Sequence, residues 1–84
     1  MIPIQELLSR IRWDPDYGAA RFEVAYLDHG EPHLVRVPVG QAELGEHPSQ
    51  GLNVTGIDGI VHAIPLHRIK AVYRNGRLVW ERTH

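Results

Sequence analysis

Arg74-Asn75-Gly76-Arg77 is the segment whose residue types and spacing point most directly to chemistry. Asn-Gly between two alternating runs is the strongest short-range signal for a two-residue hairpin turn. In such a turn residue 74 faces residue 77. Two guanidinium groups are then held side by side, with Arg68 and Lys70 further along the first strand. Like charges placed opposite each other are mildly destabilising unless something neutralises them. A bound phosphate would do so, and the planar fork of arginine matches phosphate geometry. The plain alternative is a solvated sheet face, with Lys70 paired to Glu81.

Two further groups of residues invite the same reading. His67 and Arg68 follow Pro65, and a histidine beside an arginine at a proline-broken strand end can bind phosphate or move a proton; it can equally cap or pack. Arg10, Arg12 and Trp13 close an amphipathic segment, where cations also suit a helix C-terminus for structural reasons. Trp13 is either a stacking platform for a base or a core residue, and its type favours the core. Trp80, in an alternating run, is expected in the core.

Other chemistry is poorly supported. His62 and His67 alternate to opposite faces of a straight strand, and His29 and His33 span a turn, so no metal site and no cofactor is expected. There is no glycine-rich phosphate loop before a helix, no cysteine nucleophile and no serine in an elbow motif. A binding module is therefore expected rather than an enzyme. The enzymatic alternative is a small phosphoesterase that sets His67 against Asp14 or Asp58.

Net charge is −1 over 84 residues, which alone argues mildly against nucleic-acid binding. The distribution argues the other way. Residues 28–58 carry −4 (Arg36 against Asp28, Glu31, Glu43, Glu46 and Asp58), and residues 59–84 carry +4 (Arg68, Lys70, Arg74, Arg77 and Arg82 against Glu81). The chain has no cysteine, so disulfides and thiolate zinc sites are excluded, which fits a reducing compartment. No apolar run approaches the roughly 18–20 residues of a membrane span, and no basic segment precedes the first apolar residues. A cytoplasmic protein without membrane contact is the expectation. The length suits one domain over residues 1–84, which would bury only roughly 60–65% of its unfolded surface.

The elements that must position these residues read as α+β. Ile4, Leu7, Leu8 and Ile11 recur at helical spacing, Pro3 suits a first turn, and Asp14-Pro15 stops the run; the spacing predicts a helix over residues 3–12. Phe22, Val24 and Tyr26 alternate with Arg21, Glu23 and Ala25. After the turn chemistry of Asp28 to Pro32, Val35, Val37 and Val39 alternate with Leu34, Arg36 and Pro38. Pro38 sends that strand toward an edge. Residues 40–51 read as a loop, with room for one helical turn at Gln41 to Leu44. Leu52 to Thr55 and Ile60 to Ile64 read as short strands around the Gly56 to Gly59 turn. The final hairpin pairs Ile69 to Arg74 with Arg77 to Arg82. Strict alternation puts Ile69, Ala71, Tyr73, Leu78 and Trp80 on the core face. It puts Arg68, Lys70, Val72, Arg74, Arg77, Val79 and Glu81 outside. The whole is an N-terminal amphipathic helix on an antiparallel sheet of about five strands.

Four segments taken in order, Ile4 to Asp14, Tyr26 to Gly30, Ile64 to Ile69 and Gly76 to Arg82, resemble the RNA cyclic-group end recognition domain. That family is archaeal and bacterial and was formerly a domain of unknown function. The resemblance covers nearly the whole chain. It implies a binding module, alone or fused to RNA-processing and RNA-repair enzymes, that holds RNA ends bearing a 2′,3′-cyclic phosphate or a related group. The polar positions it carries over are Arg10, Arg12, Trp13, Asp14, His67, Arg68, Arg77 and Arg82. The acidic stretch Gln41 to Gln50 departs from the family pattern. A protein-interaction module that binds no nucleic acid is the competing reading, with the exposed hairpin face or an edge strand as its dock. The oligomeric state stays open.

Overall fold

The computed structural model describes residues 2–27, 34–44, 51–55 and 59–82. The expected turns over 28–32 and 56–58, most of the acidic stretch, and His29, His33 and His47 lie outside the described residues.

Helix α1 spans Ile4–Trp13 and buries Ile4, Leu7, Leu8 and Ile11. It starts at Pro3, whose carbonyl accepts from Glu6 and Leu7, and it stops at Asp14, which is already extended ahead of Pro15 (ψ 108°). Then come β1 (Phe22–Leu27), β2 (Leu34–Val39), a single turn α2 (Gln41–Leu44), β3 (Leu52–Thr55), β4 (Val61–Ile64), β5 (Ile69–Arg74) and β6 (Arg77–Glu81). Short 3₁₀ turns at Tyr17–Ala19 and Leu66–Arg68 precede β1 and β5. The fold is α+β, as the patterning predicts, but the strands divide. A four-stranded antiparallel sheet runs β2-β1-β5-β6, and β3 pairs with β4 apart from it. β2 with its Pro38 is an edge strand, as a residue without a backbone donor favours.

One core joins all the layers. The buried face of α1 packs with Phe22, Val24, Val39, Ile69, Val72 and Trp80 of the large sheet, with Leu44, and with Leu52, Val54 and Ile64 of the small one. Trp80 Nε1 donates to the Ile2 carbonyl at 3.0 Å, which ties the start of α1 to the far end of β6. The helix therefore runs with β5, toward the hairpin tip.

Strict alternation fails in the last hairpin, and the register gives the reason. Opposite β1, β5 goes from Ala71 to Ile69 in one step of β1, so Lys70 is an extra residue. Opposite β5, β6 goes from Leu78 to Trp80 in one step, so Val79 is extra. Each β-bulge reverses side-chain parity beyond it. Ile69 and Trp80 remain in the core, as expected. Val72, expected outside, is fully buried. Tyr73, expected in the core, is half-buried on the opposite face beneath the Arg36 guanidinium, 3.7 Å from its ring centroid. Leu78 is exposed as well. Arg36 also donates to Glu23 at 2.9 Å, so it links β2 to β5 across β1.

Candidate functional site

Asn75 and Gly76 form the tip of the last hairpin with φ of 52° and 81°, the two positive values of a type I′ turn. Asparagine tolerates this left-handed region because its short polar side chain bonds locally. Here that side chain reaches further. Asn75 Oδ1 accepts from the Arg21 amide at 3.0 Å, and the Asn75 amide donates to the Arg21 carbonyl at 2.7 Å. The two bonds clip the hairpin tip to the residue that enters β1.

Directly before Arg21 lies the turn that carries Tyr17. Asp14 holds it: Oδ1 accepts from the amides of Asp16 (3.0 Å) and Tyr17 (3.1 Å), local bonding that short acidic side chains favour outside helices. The Tyr17 ring packs on Phe22, centroids 5.6 Å apart. Two guanidinium groups then converge on Tyr17. Arg10, from the last turn of α1, lies 4.1 Å from its centroid, and Arg74, from the end of β5, lies 4.9 Å from it. The two cations are thus no farther apart than those distances combined. Arg77 sits opposite Arg74 in the hairpin register.

The charge balance of this cluster is uneven. Asp14 Oδ2 stands 3.9 Å from Arg10 Nε, between half-exposed side chains, a pair worth little in water. Among the described residues no carboxylate pairs with Arg74 or Arg77. Arg74 Nε is buried and has no hydrogen-bond partner, the one such side-chain atom among the described residues. A buried donor left without a partner costs about 1–3 kcal/mol, a cost that an acceptor reaching it would offset. Arg74 also lines a concavity of about 210 Å³, together with Asn75, Arg77 and Val79. A wider depression adjoins it, lined by Arg21, Glu23, Asn75 and Gly76 among others.

The sequence-predicted residues therefore fall into two groups at opposite ends of β5. Arg10, Arg74 and Arg77 gather at the hairpin tip. Arg74 is not on the outer face as alternation places it: its register partner in β1 is the buried Phe22, and it lies on the helix side. His67 and Arg68 sit at the other end, in the 3₁₀ turn before Ile69, with His67 exposed. Arg68 and Arg74 are six steps apart along the strand, roughly 20 Å. Arg82 belongs to the second end and is tied to backbone, donating to the Leu66 and Ile69 carbonyls at 3.2 Å each. Arg12 and Trp13 lie beside the first group at the end of α1. Trp13 is 59% exposed, which corrects its expected place in the core: the buried face of α1 ends at Ile11. Arg12 stacks on it, 4.1 Å from the ring centroid. Among the described residues no three metal-ligating side chains converge.

Tyr17, Arg21 and the clamp made by Asn75 escape a reading of the sequence. Tyr17 stands in an aperiodic connector, where only the Asp14-Pro15 turn signal hints at a fixed conformation. A family model, that of the MJ1316 RNA cyclic group end recognition domain, matches residues 1–82. No solved structure matches the chain.

Proposed function

The chain belongs to this family, and from that premise we propose that it binds RNA ends bearing a 2′,3′-cyclic phosphate or a related terminal group, with the end group at the hairpin tip. The observation that carries the assignment to this place is the convergence of Arg10 and Arg74 on Tyr17 next to Arg77, with a buried Arg74 donor left unpaired. A terminal cyclic phosphate is a monoanion carried on a sugar. Charge-assisted bonds from arginine forks suit it, and they are roughly twice as strong as neutral ones. The fixed turn, clipped through Asn75, means that little ordering is left for binding to do. In this reading His67 and Arg68 meet a phosphate further along the RNA. The module works next to an enzyme that joins or trims such ends.

The test is a fluorescence-anisotropy titration with one short oligonucleotide carrying either a 2′,3′-cyclic phosphate or a 3′-hydroxyl, at about 50 and 200 mM salt. Tighter, salt-sensitive binding of the cyclic form, weakened at least ten-fold by Arg74→Ala, is expected. Equal affinity for the two ends removes end recognition. A protein-docking role without RNA binding is favoured by a separate observation, the exposed Leu27, Leu34 and Leu78 on the sheet face away from α1. It gains if the parent protein binds neither oligonucleotide.

A further inference from the structure

The chain has two tryptophans, and the fold treats them oppositely. Trp80 is 7% exposed and hydrogen-bonded to the chain start, while Trp13 is 59% exposed. Tryptophan carries the largest apolar surface of any side chain, and here it contributes little to the core. It is nonetheless held in place. It ends a helix whose other face is locked by Leu8 and Ile11, and the Arg12 guanidinium lies 4.1 Å from its ring centroid. A cation across one face leaves the exposed area to the rest of the ring. The geometry is that of a base-stacking surface backed by positive charge.

Its position relative to the anion cluster follows from the helix. Arg10 and Trp13 are three residues apart, so their Cβ atoms are neighbours at roughly 5–6 Å on one side of α1. Arg10 turns onto Tyr17, toward Arg74. Trp13 therefore flanks the cluster on the side of Arg10. Resting on the function proposed above, we infer that Trp13, backed by Arg12, stacks the base of the unpaired nucleotide at the RNA end, so that the ligand is a base-bearing single-stranded terminus and not the cyclic phosphate alone. Every base has a π-face, so the platform accepts all four. Sequence preference is weak, and the presence of a base is what counts.

The experiment uses the full chain and three probes: a uridine trinucleotide ending in a 2′,3′-cyclic phosphate, the same trinucleotide with an abasic terminal residue, and the trinucleotide ending in a hydroxyl. Because Trp80 is buried, quenching of tryptophan emission reads Trp13. The base-bearing cyclic probe is expected to quench the emission and the abasic one to leave it unchanged. Trp13→Ala should weaken the base-bearing probe roughly 5- to 150-fold and leave the abasic probe within two-fold. Trp13→Phe should restore most of the affinity while removing the signal. Circular dichroism of both variants should match the parent, since neither touches the core. Equal affinity of parent and Trp13→Ala for the base-bearing probe overturns the platform, even if Arg74→Ala shows that the cluster holds the end group. If the two ends instead bind alike, end recognition fails alone, and quenching by the hydroxyl-ended probe supports the platform independently. Absence of that quenching as well overturns both.

Discussion

Replacing Tyr17 with leucine separates a ring that merely fills space from one that holds two cations. Leucine keeps an apolar contact on Phe22 and removes the aromatic face. Two cation–π contacts at partly exposed positions contribute about 0.5–1 kcal/mol each, and the tilted pair with Phe22 about as much again. Some of this is returned, because Arg10 and Arg74 no longer have to share one ring. The expected loss is about 1–2 kcal/mol, or roughly 5–15 °C in Tm for a domain of this size. Urea denaturation followed by circular dichroism measures it, with an unchanged slope excluding an altered denatured state. Tyr17→Phe keeps the quadrupole and should stay within about 0.5 kcal/mol of the parent. In a double-mutant cycle, Tyr17→Leu and Arg74→Ala should couple by about 0.5–1 kcal/mol, being in contact. The same leucine variant frees both guanidinium groups to wander, so affinity for the cyclic-phosphate end should fall about ten-fold, equivalent to ~1.4 kcal/mol. If Tyr17→Leu matches Tyr17→Phe in both stability and binding, the ring is packing only and the cluster is not pre-organised by it.

Other expectations follow from the same geometry. Asn75→Gly keeps the left-handed turn and loses the bond to the Arg21 amide, costing about 0.5–1.5 kcal/mol; Asn75→Ala adds about 1–2 kcal/mol of backbone strain, and equal melting of the two variants would remove the conformational argument. Leu8→Ala, at a fully buried position on α1, should cost about 3–5 kcal/mol in urea unfolding, a large part of the stability of so small a chain. Oligonucleotide affinity should fall with salt at a log–log slope near −2 if three phosphates are neutralised, and Arg74→Ala should reduce that slope by about 0.7; an unchanged slope would place Arg74 outside the contact. His67→Ala should weaken binding less than Arg74→Ala does, and the reverse order in the same titration would move the end group to the other end of β5.

Much of the architecture was legible because it is local. Helical spacing from Ile4 to Ile11, proline stops at Pro15 and Pro65, and alternation in Phe22 to Tyr26 each depend on a few neighbouring residues, and each is found where the pattern puts it. Asn75-Gly76 even gives the pairing of Arg74 with Arg77. What alternation missed were the two bulges. A bulge is settled between strands, by how β5 accommodates β1 on one side and β6 on the other, and neither Lys70 nor Val79 carries a mark of it. The consequence reaches the site, because parity beyond the bulges decides which face receives Arg74. Division of the strands into two sheets was equally illegible, since β3 and β4 pair with each other as any hairpin would.

The residue that makes the last hairpin recognisable also builds the candidate site. A type I′ turn needs a residue that accepts positive φ, and glycine alone would meet that need. Asparagine at position 75 meets it while presenting an amide oxygen at the tip, and that oxygen fastens the entry of β1. With Arg21 fixed, the preceding turn is held from both sides, by Asn75 after it and by Asp14 before it, so Tyr17 faces the end of α1 and the end of β5 together. The resemblance segments divide along this line. Ile4 to Asp14 and Gly76 to Arg82 bring Arg10, Asp14 and Arg77 to the tip, whereas Ile64 to Ile69 builds the opposite end, where Arg82 is spent on carbonyls of the turn that holds His67. Cations that bond backbone carbonyls are already satisfied. Arg74, which shares one aromatic ring with Arg10 and keeps a buried donor unpaired, is not, and this imbalance is why the proposed end-group site is set at the hairpin tip and not at the other end of β5.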